Sequence, residues 1–264
     1  MNFDALFVDG QIFLLIFARI ISIMLIMPIM STAAFPGPAR AGLAFFTAMA
    51  VFPMARNLNF LIPESGILFS FLIIGEVLIG IIMGFIVLMV FTVFQIAGQL
   101  FSLQMGFGAS QVFDPLAQIQ IPLLGQFLNL IAMLVFLVTG GMKKIFLTGV
   151  YQSFSVVKAS DLFVQQDMLV AYFSGVLGHL FEQAIVIAIP IMGTLILLSV
   201  TMGLLAKAAP QMNLLMVGFP IQISVGFIIM LASMPFLIEK FTIIIDSGFE
   251  QILTILDAAY RGIL

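Results

Sequence analysis

The chain has 264 residues, 63% of them apolar and only 8% charged, and its nine basic and twelve acidic side chains sit in a background of mean hydropathy +1.29. An ordinary soluble domain carries about 25% charged residues, so this chain lacks the polar shell of a water-soluble globule and must meet lipid or other protein over most of its surface. Nine scattered Lys and Arg exclude a nucleic-acid-binding stripe, the absence of Cys excludes disulfides, iron–sulfur clusters and thiolate zinc, and a single histidine, His179, builds neither a His-rich metal site nor a triad. Neither enzyme chemistry nor a bound cofactor is expected.

The first charges are acidic, Asp4 and Asp9, and the first basic residue, Arg19, already lies inside an apolar run. A cleavable signal begins with positive charge, so the opening helix reads as part of the mature protein. Charge-free stretches at 20–39, 41–55, 77–113, 115–142, 183–206 and 208–238 then set the map. A bilayer core of ~30 Å takes about 20 helical residues, and backbone groups in lipid must pair within their own segment, which selects helices over open sheet. The expected fold is all-α, an integral membrane-type protein of about six long, bent helices arranged as hairpins. They fall near 10–30, 40–56, 65–103, 122–157, 172–206 and 212–239, with a tail helix near 240–261. No long hydrophilic insertion breaks the chain, so residues 1–264 read as one domain.

The third segment would reach almost 60 Å at about 1.5 Å per residue, so it must tilt, bend or leave the bilayer. Pro28, Pro190, Pro220 and Pro235 fall within apolar segments, where each removes a helical hydrogen bond and favours a kink, although membrane helices are rich in Pro generally. Six spans place both termini on one side with Arg56, Lys143, Lys144, Lys158, Lys240 and Arg261, against Arg40 and Lys207 opposite. Loop charge alone makes the side of the termini cytoplasmic.

Ionisable groups inside apolar runs are costly and need a partner. Arg19, within Phe13–Met27, and Glu76, within Ile74-Gly75-Glu76-Val77-Leu78, make a chemically reasonable pair, since each is otherwise an uncompensated charge in a low dielectric. Two charges with no second carboxylate a turn away make a poor proton relay, and a structural ion pair or a subunit contact is the expected role. Gly80 and Gly84 form a G-x-x-x-G step, with Gly75 and Gly98 on either side, which lets another helix approach closely. A neighbouring helix and a neighbouring chain fit it equally.

Residues 103–122 read differently. Gly106 and Gly108 free the backbone, Pro115 and Pro122 close the far end, and Met105, Phe107, Val112, Phe113, Ile119 and Ile121 alternate with Gln and Ser around a lone charge, Asp114. Such a loop cannot lie in lipid and is too apolar to extend freely into water, so it is buried in protein or lines a cavity. It is either a plain connection or a constriction, for which the flexible thioether of Met105 suits a gasket. Leu204–Asn213 form a short polar turn between two apolar helices, an αα-hairpin with Lys207 at the negative end of the first helix's dipole. His179 and Glu182 share a helix face and are expected to be a solvated pair.

Taken together, G-E-V-L-I-G-x-x-M-G-F around Glu76, Val112-Phe113-Asp114-Pro115, Gly203-Leu204-Leu205 with Ala209-Pro210-Gln211-Met212-Asn213, and Val217-Gly218-Phe219-Pro220 resemble the FliR family of flagellar biosynthetic proteins, in order and over essentially the whole chain. The injectisome counterparts of that family are similar. The resemblance implies a non-enzymatic subunit of the type III secretion export gate in the bacterial inner membrane, within the flagellar basal body. There one FliR assembles with about five FliP and about four FliQ into a closed helical complex that conducts unfolded export substrates, with FlhB wrapping the entrance and FlhA supplying the export platform. It also implies a FliP-like part over residues 1–175, a FliQ-like hairpin over 176–240 and a tail helix over 241–264. The family's plug loop maps onto Gly106–Pro122, which with Met side chains of FliP would seal the lumen. The turn carrying Lys207, Pro210, Gln211 and Asn213 corresponds to loops facing the cytoplasmic entrance. That placement opposes the orientation from loop charge and takes precedence over it, because family complexes sit raised out of the membrane plane, where the charge rule loses its premise. A small-solute transporter is the alternative from another class, but such proteins carry internal repeats, and Phe35-Pro36 against Phe219-Pro220 is the only echo.

Overall fold

The computed structural model describes residues 3–32, 35–56, 62–107, 123–156, 166–211 and 213–261, and among the described residues there are helices and short connections without a strand. In chain order these are α1 (Phe3–Ile26), α2 (Pro28–Ser31), α3 (Gly37–Ala55), α4 (Gly66–Gln104), α5 (Leu123–Val138), α6 (Gly141–Lys144), a π-helix (Ile145–Gln152), α7 (Ser153–Val156), α8 (Gln166–Ala208), α9 (Leu214–Ala232) and α10 (Met234–Arg261). Among the described residues, four helical stretches are long and apolar enough to cross a membrane: Leu6–Ile26, Gly37–Ala55, Gly66–Gln104 and Gly175–Ala208. The count reaches six when α5 with the π-helix, and α9 with α10, each make one bent span.

Two compact units emerge, each discontinuous in sequence: Met1–Val90, Gly140–Gly175 and Ile245–Leu264 form the first, Phe91–Thr139 and Val176–Ile244 the second. In the first unit, α1 and α3 run antiparallel. Phe13 meets Phe45 and Phe52 edge-on, with ring centroids 5.3 and 6.1 Å apart, and Asp9 bridges Arg56 at 2.9 Å. Ala44, Ala48 and Ala55 are buried on α3, a small-residue face that allows close helix contact. Helix α1 stops where it does because a residue preceding proline is pushed out of the helical region: Met27 takes ψ 127 and Pro28 opens α2, where its missing N–H costs nothing. Met24, Met27, Met30 and Met142 line a small apolar cavity with Ile20 and Ile145, the irregular gap that thioether chains fill.

In the second unit, α4 and α5 touch backbone to backbone: a Cβ on Gly98 would lie 2.5 Å from the Cα of Gly125. Phe91 against Phe136 (5.5 Å) and Phe94 against Phe241 (4.2 Å) extend the core. Helices α8 and α9 fold back on each other, with Gln222 Nε2 donating to Ser199 Oγ at 3.0 Å.

The expected single helix over 122–157 is corrected. It breaks at Gly140, whose φ of 73° lies in the left-handed region that favours glycine, and resumes as α6, the π-helix and α7. The expected boundary between the sixth helix and the tail helix also moves, from 239 to Ser233. There α9 and α10 meet at 62°, and Pro235 occupies the second position of α10, where no helical bond is lost. Pro190 and Pro220, by contrast, lie inside uninterrupted helices.

Candidate functional site

Glu76, Gly80 and Gly84 recur every four residues along α4 and therefore share one face. In the first unit that face meets α1. A Cβ on Gly80 would lie 2.5 Å from the carbonyl oxygen of Arg19, and one on Gly84 would lie 3.0 Å from Ile26 Cβ. The partner of the G-x-x-x-G step is thus a helix of the same chain. With the backbones this close, the long Arg19 side chain reaches Glu76: its Nε donates to Oε2 at 2.5 Å, and the two residues are 0% and 1% exposed. Arg19 Nη1 donates to Ser153 Oγ at 3.1 Å, and the guanidinium lies 4.1 Å from the centroid of the Phe154 ring. Ser153 Oγ in turn donates to the carbonyl of Val150, at 2.9 Å.

A buried charge is tolerated when it is paired and its remaining hydrogen-bonding capacity is used. This cluster meets that condition and ties α1, α4 and the start of α7 to one point. Arg19 and Glu76 are the only fully buried charged side chains among the described residues. Geometrically the arrangement is a clasp between these helical segments. Ser153 and Phe154 were invisible to sequence reasoning, although a Ser beside an aromatic in an apolar helix is a usable signal of interhelical contact. A second link in this unit, Lys144 with Asp246, is partly exposed.

In the second unit the end of α4 enters the glycine- and proline-bounded segment. Met105 is 0% exposed and is wedged against Gly226 of α9, where a Cβ would lie 2.7 Å from its Cγ. Met105 is therefore enclosed by this chain, in a packing contact with α9. Gly106 has a φ of 89° and lies under the ring of Phe219. Gln104 Nε2 reaches Ser199 Oγ at 3.4 Å, and Phe107 is half-buried. Gly108, Phe113, Asp114, Pro115 and Pro122 lie outside the described residues.

The turn after α8 has the expected form. Lys207 is in the last turn of α8, and Pro210, Gln211 and Asn213 are exposed. Asn213 caps α9 by accepting from Met216 N at 3.3 Å, which satisfies one of the amides a helix start leaves unpaired. His179 and Glu182 stand 3.4 Å apart, each about two-thirds exposed. No group of three or more His, Cys, Asp or Glu is placed to hold a metal among the described residues.

Residues 11–248 match the family model described as bacterial export proteins, family 1. The chain is 32% identical over 225 residues to the flagellar biosynthetic protein FliR of Bacillus subtilis, covering 84% of this chain and 85% of that protein. It is 30% identical to the FliR of Aquifex aeolicus, over 90% of this chain and 89% of the relative. It is also 32% identical over 152 residues to the surface presentation of antigens protein SpaR of Shigella sonnei, with 58% of each chain covered.

Proposed function

The chain belongs to the bacterial export proteins, family 1, as a FliR-type component of a flagellar type III export apparatus, and from that premise we propose that it forms and seals the export channel together with FliP and FliQ. In this reading it lies in the bacterial inner membrane within the flagellar basal body, with FlhB at the entrance and FlhA supplying the export platform. Its role is structural: it positions side chains around a path for unfolded flagellar proteins and makes or breaks no bond in them. The division into a FliP-like part over 1–175, a FliQ-like hairpin over 176–240 and a tail over 241–264 expresses kinship of segments, and it runs across the two compact units rather than along them.

The observation that carries the proposal is the way α4 ends. A 39-residue helix, about 58 Å long at 1.5 Å per residue, outruns a bilayer core of ~30 Å and delivers its last residues into a fitted seat on α8 and α9. Gly106–Pro122 starts from that seat as the plug, and the Lys207–Asn213 turn faces the entrance. Family membership supplies the export context; a small-solute transporter draws no support from it. Deletion of Gly106–Pro122 tests the reading in membranes carrying the complete apparatus. The resting complex is expected to leak small ions, and an unchanged conductance with partners still copurifying refutes a sealing role.

A further inference from the structure

Three consecutive residues at the end of α4 are each held by a different feature of the α8–α9 hairpin. Gln104 Nε2 points to Ser199 Oγ at 3.4 Å, and the same oxygen accepts from Gln222 Nε2 at 3.0 Å and donates to the Leu195 carbonyl at 2.9 Å. A hydroxyl offers one donor and two acceptor sites, so Ser199 is fully used, and one polar knot joins three helices in apolar surroundings. Met105 occupies the notch that Gly226 leaves open: a Cβ there would stand 2.7 Å from both its Cγ and its Cε. Gly106 fits beneath Phe219, whose Cδ1 would stand 2.5 Å from an added Cβ. The left-handed backbone at Gly106 sets the direction in which the chain leaves the helix, and a residue in that conformation persists only where its surroundings hold it.

A plain connection needs no such seat. Resting on the plug reading above, we infer that Ser199, Phe219, Gln222 and Gly226 are positioning residues for the plug: the hairpin fixes the residues from which the plug departs, and sealing depends on that seat as well as on the plug's own sequence. Helix packing by itself would not require a saturated hydroxyl, a notch and a ring on three successive residues.

The test uses the complete export complex in its membrane, with copurification of the other subunits as the measure of assembly and resting ion leak as the readout. Gly226→Leu fills the notch and displaces Met105, and its leak is expected to approach that of the Gly106–Pro122 deletion. The paired change Gly226→Met with Met105→Gly, which returns the volume from the opposite side, is expected to restore the seal in part. Where Gly226→Leu fails to assemble, Ser199→Ala, which removes the hydroxyl and adds no bulk, is read in its place and is expected to raise the leak. An assembled Gly226→Leu or Ser199→Ala complex that stays tight while the deletion leaks overturns the role of the hairpin and leaves the plug reading standing. A tight complex in the deletion as well overturns both.

Discussion

At the residue scale the most constrained group is Arg19. Its charge is balanced by Glu76, its Nη1 is engaged by Ser153, and its flat face is covered by Phe154. Removing one partner of a buried pair leaves the other uncompensated and costs about 3–5 kcal/mol, a large share of the roughly 5–15 kcal/mol that holds a typical domain together. Glu76→Gln loses the charge but keeps the shape and an acceptor oxygen for Arg19, so it is expected to reduce assembly less than Glu76→Lys. Glu76→Lys sets two cations face to face without water and is expected to abolish assembly. The yield of copurified complex separates the two, and equal yields refute the pairing as the reason for Glu76.

At the element scale, glycines decide how closely helices approach. Gly80 lets α4 settle on the backbone of α1, while a Cβ added at Gly178 on α8 would have nothing within 4 Å. The same substitution is therefore expected to act in opposite directions. Gly80→Ala must push a carbonyl and Ser22 aside and should destabilise by about 1–3 kcal/mol, as overpacking does. Gly178→Ala removes backbone freedom from the unfolded chain and should stabilise by about 0.4–1 kcal/mol. Thermal unfolding of the two variants of the isolated chain in detergent gives both signs, and a neutral Gly80→Ala contradicts the close contact. Kinks were legible at Pro28 and Pro235, where helices break, although the helix ends expected there were 30 and 239. The break at Gly140 was not, because a glycine is compatible with a continuous helix until its φ is known, and the π-helix after it has no sequence signature in residues 145–152.

At the scale of the whole molecule the dominant fact is apolar surface that the chain does not cover. On α8, Phe181, Ile185, Ile189, Leu197, Val200 and Leu204 are exposed at helical spacing, and on α3 so are Phe46 and Met49. Monomeric soluble proteins keep such patches to a few hundred Å², so these faces require lipid or other subunits. In the proposed assembly much of that cover comes from unlike proteins. Extraction in mild detergent is expected to give an assembly far heavier than the 28.8 kDa chain, containing non-identical partners at unequal copy number. A lone chain or a small homo-oligomer, measured by native mass, contradicts that assembly.

What the sequence by itself determined is what can be read along a short stretch of chain: an environment other than water, helices in place of strands, their approximate number and ends, and the need of Arg19 and Glu76 for partners. These follow from the match between apolar run length and bilayer thickness and from the cost of leaving backbone or charge unpaired. Only the tertiary structure decided the identity of those partners. Arg19 meets Glu76 across 57 residues and Ser153 across 134, and Gln104 meets Ser199 across 95. Pairings at such separations depend on which helix faces come together, and a glycine, serine or glutamine in an apolar run is ambiguous until the surface opposite it is known.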